Sequence, residues 1–102
     1  MAEYGLSDDV IHGIRNVFQR FSELEQVVLY GSRAMGNYRN GSDIDIALKG
    51  AELNLQVMNR ISLNLDDLML PYTFDVSIFD HIDNEELIDH IERKGVVFYS
   101  AV

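Results

Sequence analysis

The chain has no cysteine, no tryptophan and one proline, and only 8 of its 102 residues are lysine or arginine, against 17 aspartates and glutamates. The missing cysteine excludes disulfides and thiolate metal sites, and suits a reducing cytoplasm. A net charge of −9 leaves no basic stripe for gripping a nucleic-acid backbone, so direct nucleic-acid binding is not expected. No apolar run approaches the roughly 18–20 residues of a membrane span. Met1-Ala2-Glu3-Tyr4 lacks the charged-then-apolar start of a signal peptide. The three histidines show no HxH or HxxxH spacing, which speaks against zinc. What is present is a globular composition, 47% hydrophobic with five tyrosines and five phenylalanines, in a length that suits one domain over 1–102.

The chemistry gathers in one stretch. Val27-Val28-Leu29-Tyr30 is a β-branched, apolar run that stops at Gly31, as a central strand entering a turn does. Gly31 permits a tight bend and close backbone approach, and Ser32 adds an N–H and a hydroxyl. If Ser32 opens a short helix, its unpaired N–H groups face an anion. Beyond a short polar loop (Asn37, Arg39, Asn40, Gly41) a second strand is expected over 42–48, carrying Asp43 and Asp45. At i and i+2 these share one face of the strand, with Cα atoms about 6.5–7 Å apart. Two like charges there are unfavourable unless a cation lies between them, and paired carboxylates suit one or two Mg²⁺ ions. A phosphate cradle beside such a pair is the apparatus of nucleotide phosphoryl chemistry. The plainer alternative is a simple turn followed by a strand-edge aspartate.

The rest of the chain supplies a frame. Residues 7–21 read as an amphipathic helix capped by Ser7, with Asp8 and Asp9 in its first turn. Val10, Ile11, Ile14, Val17, Phe18 and Phe21 make its apolar stripe and leave His12 in solvent. A helix over 54–68 buries Val57, Met58, Ile61, Leu65 and Leu68, with Leu53 on the same side. Leu63 and Leu70 fall opposite, either as isolated exposed leucines or as part of a partner face. Pro71 is expected to end that helix, and a third strand covers 73–79. Asp83 and Glu86 resemble a capping box for a helix over 83–94, with Arg93 and Lys94 in its last turn and Gly95 as a left-handed cap. His90 is expected on that helix's surface, and 96–100 forms a last strand at an edge. The order implies an α/β (α+β) sandwich, one mixed sheet with helices packed on it.

Gly31-Ser32, an intervening segment and Asp43-Ile44-Asp45 together resemble the signature of the DNA polymerase beta-like nucleotidyltransferase superfamily. The fuller string, Gly31-Ser32-Arg33-Ala34-x-Gly36 to Ser42-Asp43-Ile44-Asp45, is similar to its minimal nucleotidyltransferase (MNT) branch, over nearly the whole chain. The resemblance implies the nucleotidyltransferase (polymerase beta palm-like) fold and transfer of a nucleoside monophosphate, by default AMP from ATP, to an acceptor hydroxyl. It implies that Asp43 and Asp45 hold two Mg²⁺ ions and that a third carboxylate on the next strand ligates the metal nearer the acceptor. Asp75 is the match, and Asp80, at the strand's exit and of opposite parity, is the rival. Gly31 and Ser32 then hold the β- and γ-phosphates, with Arg33 and Ser42 counted in the nucleotide site. Met35 stands where members often carry a basic residue. Members of this branch are commonly encoded beside a helical HEPN-type protein and form a complex with it. In some pairs that protein is a ribonuclease toxin silenced by adenylylation of a tyrosine. The implied role is therefore a cytoplasmic antitoxin enzyme within a hetero-oligomer. An aminoglycoside-like small-molecule adenylyltransferase and a non-catalytic, nucleotide-binding contact inhibitor stand as alternatives.

Overall fold

The structure, a computed structural model, describes residues 3–101. Ser7 is extended and its hydroxyl accepts the Val10 N–H at 3.3 Å, which opens α1 (Asp8–Gln19). The 3.6-residue stripe of α1 then buries Ile11, Ile14, Val17 and Phe18, as its spacing predicts. The chain continues through β1 (Gln26–Tyr30), the one-turn α2 (Ser32–Met35) and β2 (Ile44–Lys49). Next come α3 (Leu55–Asp66), β3 (Phe74–Ile78), a 3-10 turn at Phe79–His81, α4 (Glu85–Lys94) and β4 (Val96–Ser100).

The strands form one sheet in the order β3-β2-β1-β4. Strand β1 runs antiparallel to both β2 and β4, while β2 and β3 are parallel and need the α3 crossover between them. This is the mixed sheet with packed helices that the sequence implies, and β4 lies at an edge as expected. Strand parity divides the sheet into two faces. Val27, Leu29, Ile44, Ile46 and Leu48 enter the larger core with α1 and α3. Val28, Tyr30 and Ala47 point the other way and meet Ile91 of α4 in a smaller core. Among the described residues no helix is long and apolar enough to cross a membrane.

Several boundaries differ from the sequence expectation, each for a local reason. The second strand starts at Ile44, because Ser42 is tied into the preceding loop. Its hydroxyl accepts the Arg39 N–H at 2.7 Å, and its own N–H donates to the Arg39 carbonyl. The third strand stops at Ile78, and Phe79 turns into the 3-10 segment. Pro71 does not end α3. The helix stops at Asp66, the Asp67 N–H closes back onto the Leu63 and Leu65 carbonyls, and Met69 leaves with a φ of 55°. Leu63 is 63% exposed, but Leu70, beyond the helix, folds back against the larger core. The fourth helix begins at Glu85 without the Asp83–Glu86 capping box. Asn84 is the cap, its side-chain oxygen taking the Leu87 N–H at 3.1 Å. Gly95 is extended (φ −69°, ψ 153°) and not left-handed. A side chain there would run into the Ile91 carbonyl and the Val28 side chain, so glycine permits close packing of α4 on β1.

Candidate active site

At the end of β1 the chain passes from Tyr30 into Gly31, whose φ of 77° and ψ of −155° lie outside the reach of ordinary L-residues. Gly31 caps α2, whose first N–H groups have no partner within so short a helix. The turn closes when Met35 donates to the Gly31 carbonyl at 3.1 Å and Gly36, at φ 84°, donates to the Ser32 carbonyl at 3.0 Å. A Cβ on Gly31 would strike the Asp45 carboxylate. The glycine is thus what lets the turn and that carboxylate share one place.

Strand register assembles the rest. Tyr30 of β1 pairs with Asp45 of β2, and Asp45 pairs with Asp75 of β3. Paired neighbours share a face, so the three side chains stand side by side on the α4 side of the sheet, about 4.8 Å apart by strand spacing. Asp75, not Asp80, is the third strand's carboxylate here, since Asp80 falls in the 3-10 turn. Asp43 is exposed and lies just before β2, so it is not part of the strand face that the i, i+2 spacing predicts it shares with Asp45.

The electrostatics reflect this crowding. Burial, then the Asp75 charge, then the Asp43 charge push the Asp45 carboxyl above its ordinary range, while His90 pulls it back. The Tyr30 phenol is raised by burial and by Asp75 and Asp45, with a Ser77 hydrogen bond opposing. None of the three carboxylates has an ion pair with a lysine or arginine among the described residues. Nor do any three His, Asp or Glu side chains among those residues stand close enough to cage a metal ion unaided. The site is an open sheet end. Two clefts of about 240 Å³ each lie elsewhere, one beside α1 at Val10 and Leu68, the other between α3 and β3 at Met58 and Val76.

Two residues depart from their expected roles. Arg33 does not reach the glycine turn as a phosphate ligand. It is only 2% exposed, with Nε and Nη2 donating to the Ser42 carbonyl at 3.1 and 2.9 Å and Nη1 to the Tyr4 carbonyl at 2.9 Å. Its guanidinium also lies over the rings of Tyr72 and Tyr38, at 4.8 and 5.5 Å. Arg33 and the Ser42 carbonyl therefore brace the loop that delivers Asp43. His90 is not a free surface residue. Its Nε2 accepts the Gly31 N–H at 3.2 Å and its ring meets Tyr30 edge-on at 6.1 Å. A sequence signal for this existed: Leu87, His90 and Ile91 lie three and four apart on one helix side, and Ile91 is buried.

Residues 12–101 match the family described as Polymerase beta, Nucleotidyltransferase, and the chain belongs to that family. The resemblance carried by Gly31-Ser32 and Asp43-Ile44-Asp45 holds at this level, and the chain is a nucleotidyltransferase domain. A Methanocaldococcus jannaschii protein, named as a candidate protein adenylyltransferase, is 30% identical over 82 residues, 72% of this chain and 78% of its own. Among solved structures, a crystal structure of a toxin–antitoxin with AMP-PNP matches with a TM-score of 0.72 at 20% identity, covering 88% of this chain and 73% of that one. A tri-AMPylated Shewanella oneidensis HEPN toxin in complex with MNT antitoxin matches with a TM-score of 0.66 at 17% identity, covering 89% and 70%. At such identities these two establish the nucleotidyltransferase fold.

Proposed function

We propose that this chain moves AMP from ATP onto a tyrosine hydroxyl of a HEPN-type helical partner, with Mg²⁺, and acts as the antitoxin of that pair. The observation that carries the reading is the register Tyr30–Asp45–Asp75, which sets Asp45 against the glycine turn and Asp75 beside Asp45, with neither carboxylate ion-paired to a lysine or arginine among the described residues. The curated relative named for protein adenylylation and the fold shared with MNT antitoxin complexes support it. The low basic content agrees, because a folded protein acceptor needs no phosphate-binding stripe. A supply of ATP suits the cytoplasm.

The donor set fits Mg²⁺. Carboxylate oxygens are its preferred ligands, the excess negative charge around Asp45 asks for a cation, and Mg²⁺ takes phosphate oxygens and water beside one or two carboxylates. Asp43, Asp45 and Asp75 would hold it, and when bound it supplies charge neutralisation on the triphosphate and activation of the attacking hydroxyl. Gly31 and Ser32 cradle the β- and γ-phosphates, and Ser42 acts through its carbonyl on Arg33 and its hydroxyl on Arg39, holding Asp43 beside them. The acceptor oxygen forms its bond to the α-phosphorus while the bond from that phosphorus to the bridging oxygen breaks and pyrophosphate leaves. Asp75, exposed at the open edge of the site, receives the proton.

Intact mass spectrometry of a HEPN-type helical protein, incubated with this chain, Mg²⁺ and ATP, tests the proposal. Adenylate additions that vanish with Asp43→Asn/Asp45→Asn are expected. A partner that binds stably yet stays unmodified would overturn transfer in favour of contact inhibition.

A further inference from the structure

The first amide of the glycine turn is held from a distance of 59 residues along the chain. Gly31 N–H donates to His90 Nε2 on α4 at 3.2 Å. As the cap of α2 and the residue just beyond the β1–β2 ladder, Gly31 has no backbone acceptor for that N–H in either element. Glycine also has the widest backbone freedom, so its φ of 77° and ψ of −155° are not self-enforcing. The imidazole is itself in contact with the sheet. Tyr30, 6% exposed, meets the ring at an interplanar angle of 79°, and the neighbouring Ile91 is 2% exposed in the smaller core. The Nε2 atom is engaged by the turn, so the imidazole meets the site at the Gly31 amide. Its effect on the site runs through the backbone.

We infer that His90 is a positioning residue of the nucleotide site, holding the Gly31 amide and with it the turn that receives the triphosphate. This rests on nucleotide binding at Gly31 and Ser32. It makes α4 part of the site's frame, so that the packing of Ile91 against Val28 also sets the shape of the phosphate turn. Loss of one backbone hydrogen bond predicts a modest, specific effect on binding and not a collapse.

The test is calorimetric titration of the full chain with AMP-PNP and Mg²⁺, joined to amide exchange of the free protein by NMR. His90→Ala is expected to weaken nucleotide binding about tenfold and to speed exchange at Gly31 while leaving Leu29, inside the ladder, protected. His90→Gln, whose side-chain oxygen reaches toward the position of Nε2, should recover most of both, and the shorter His90→Asn should not. Unchanged affinity in His90→Ala, or a Gln variant as weak as Ala, overturns the positioning role. If His90→Ala fails to fold, the Gln–Asn comparison and exchange in the wild type still decide. An unprotected Gly31 amide in the wild type would overturn the inference. A wild-type chain that binds no nucleotide overturns the site reading as well, which distinguishes the two failures.

Discussion

Asp45 ties stability and function together with opposite signs. Its folded-state carboxyl is raised by burial and by Asp75 and Asp43, so the folded protein holds more protons than the unfolded chain between the two pKa values. Stability therefore falls as pH rises through that window. Asp45→Asn is expected to raise Tm at neutral pH in metal-free buffer, with the advantage vanishing toward pH ~3.9, where the unfolded carboxylate also protonates. Thermal melts across that range check the sign. The same substitution should cut AMP transfer on the order of 10²–10³-fold. Arg33 predicts a different pattern. Arg33→Met strips the donors from the Ser42 and Tyr4 carbonyls in a buried site and should cost about 2–4 kcal/mol in urea denaturation. An exposed phosphate ligand would cost far less. The sequence placed Arg33 next to the turn, but nothing local in it said that two tyrosines and two carbonyls would turn the guanidinium inward.

At the scale of elements, the apolar periodicities of α1 and α3 were legible because burial of one stripe enforces them whatever the neighbours do. Their ends were not. Asp83 and Asn84 are both good caps side by side, and it is the Asn84 side chain that takes the Leu87 N–H. Asn84→Ala should therefore cost about 1 kcal/mol, and Asp83→Ala under about 0.5 kcal/mol, read from chemical denaturation. The early stop of α3 has the same character. Met69 takes a positive φ, and beyond it Leu70 and Tyr72 return to the core, so the chain has left the helix before Pro71 is reached.

A chain of net charge −9 concentrates carboxylates at one end of a sheet where, among the described residues, no arginine or lysine pairs with them. A divalent cation should bind there and stabilise the fold. Mg²⁺ at ten times its Kd would add about 1.4 kcal/mol, seen as a rise in Tm that Asp43→Asn/Asp45→Asn abolishes. The sequence by itself determined the class of fold and the place of the glycine turn, because strand and helix periods and glycine's tolerance of positive φ are local properties. The resemblance had already named Asp75, and the strand register pairs it with Asp45; only the tertiary structure decided that Arg33 is a brace and that His90 holds Gly31. Each of those depends on register or packing between segments far apart in the chain, which no local pattern encodes.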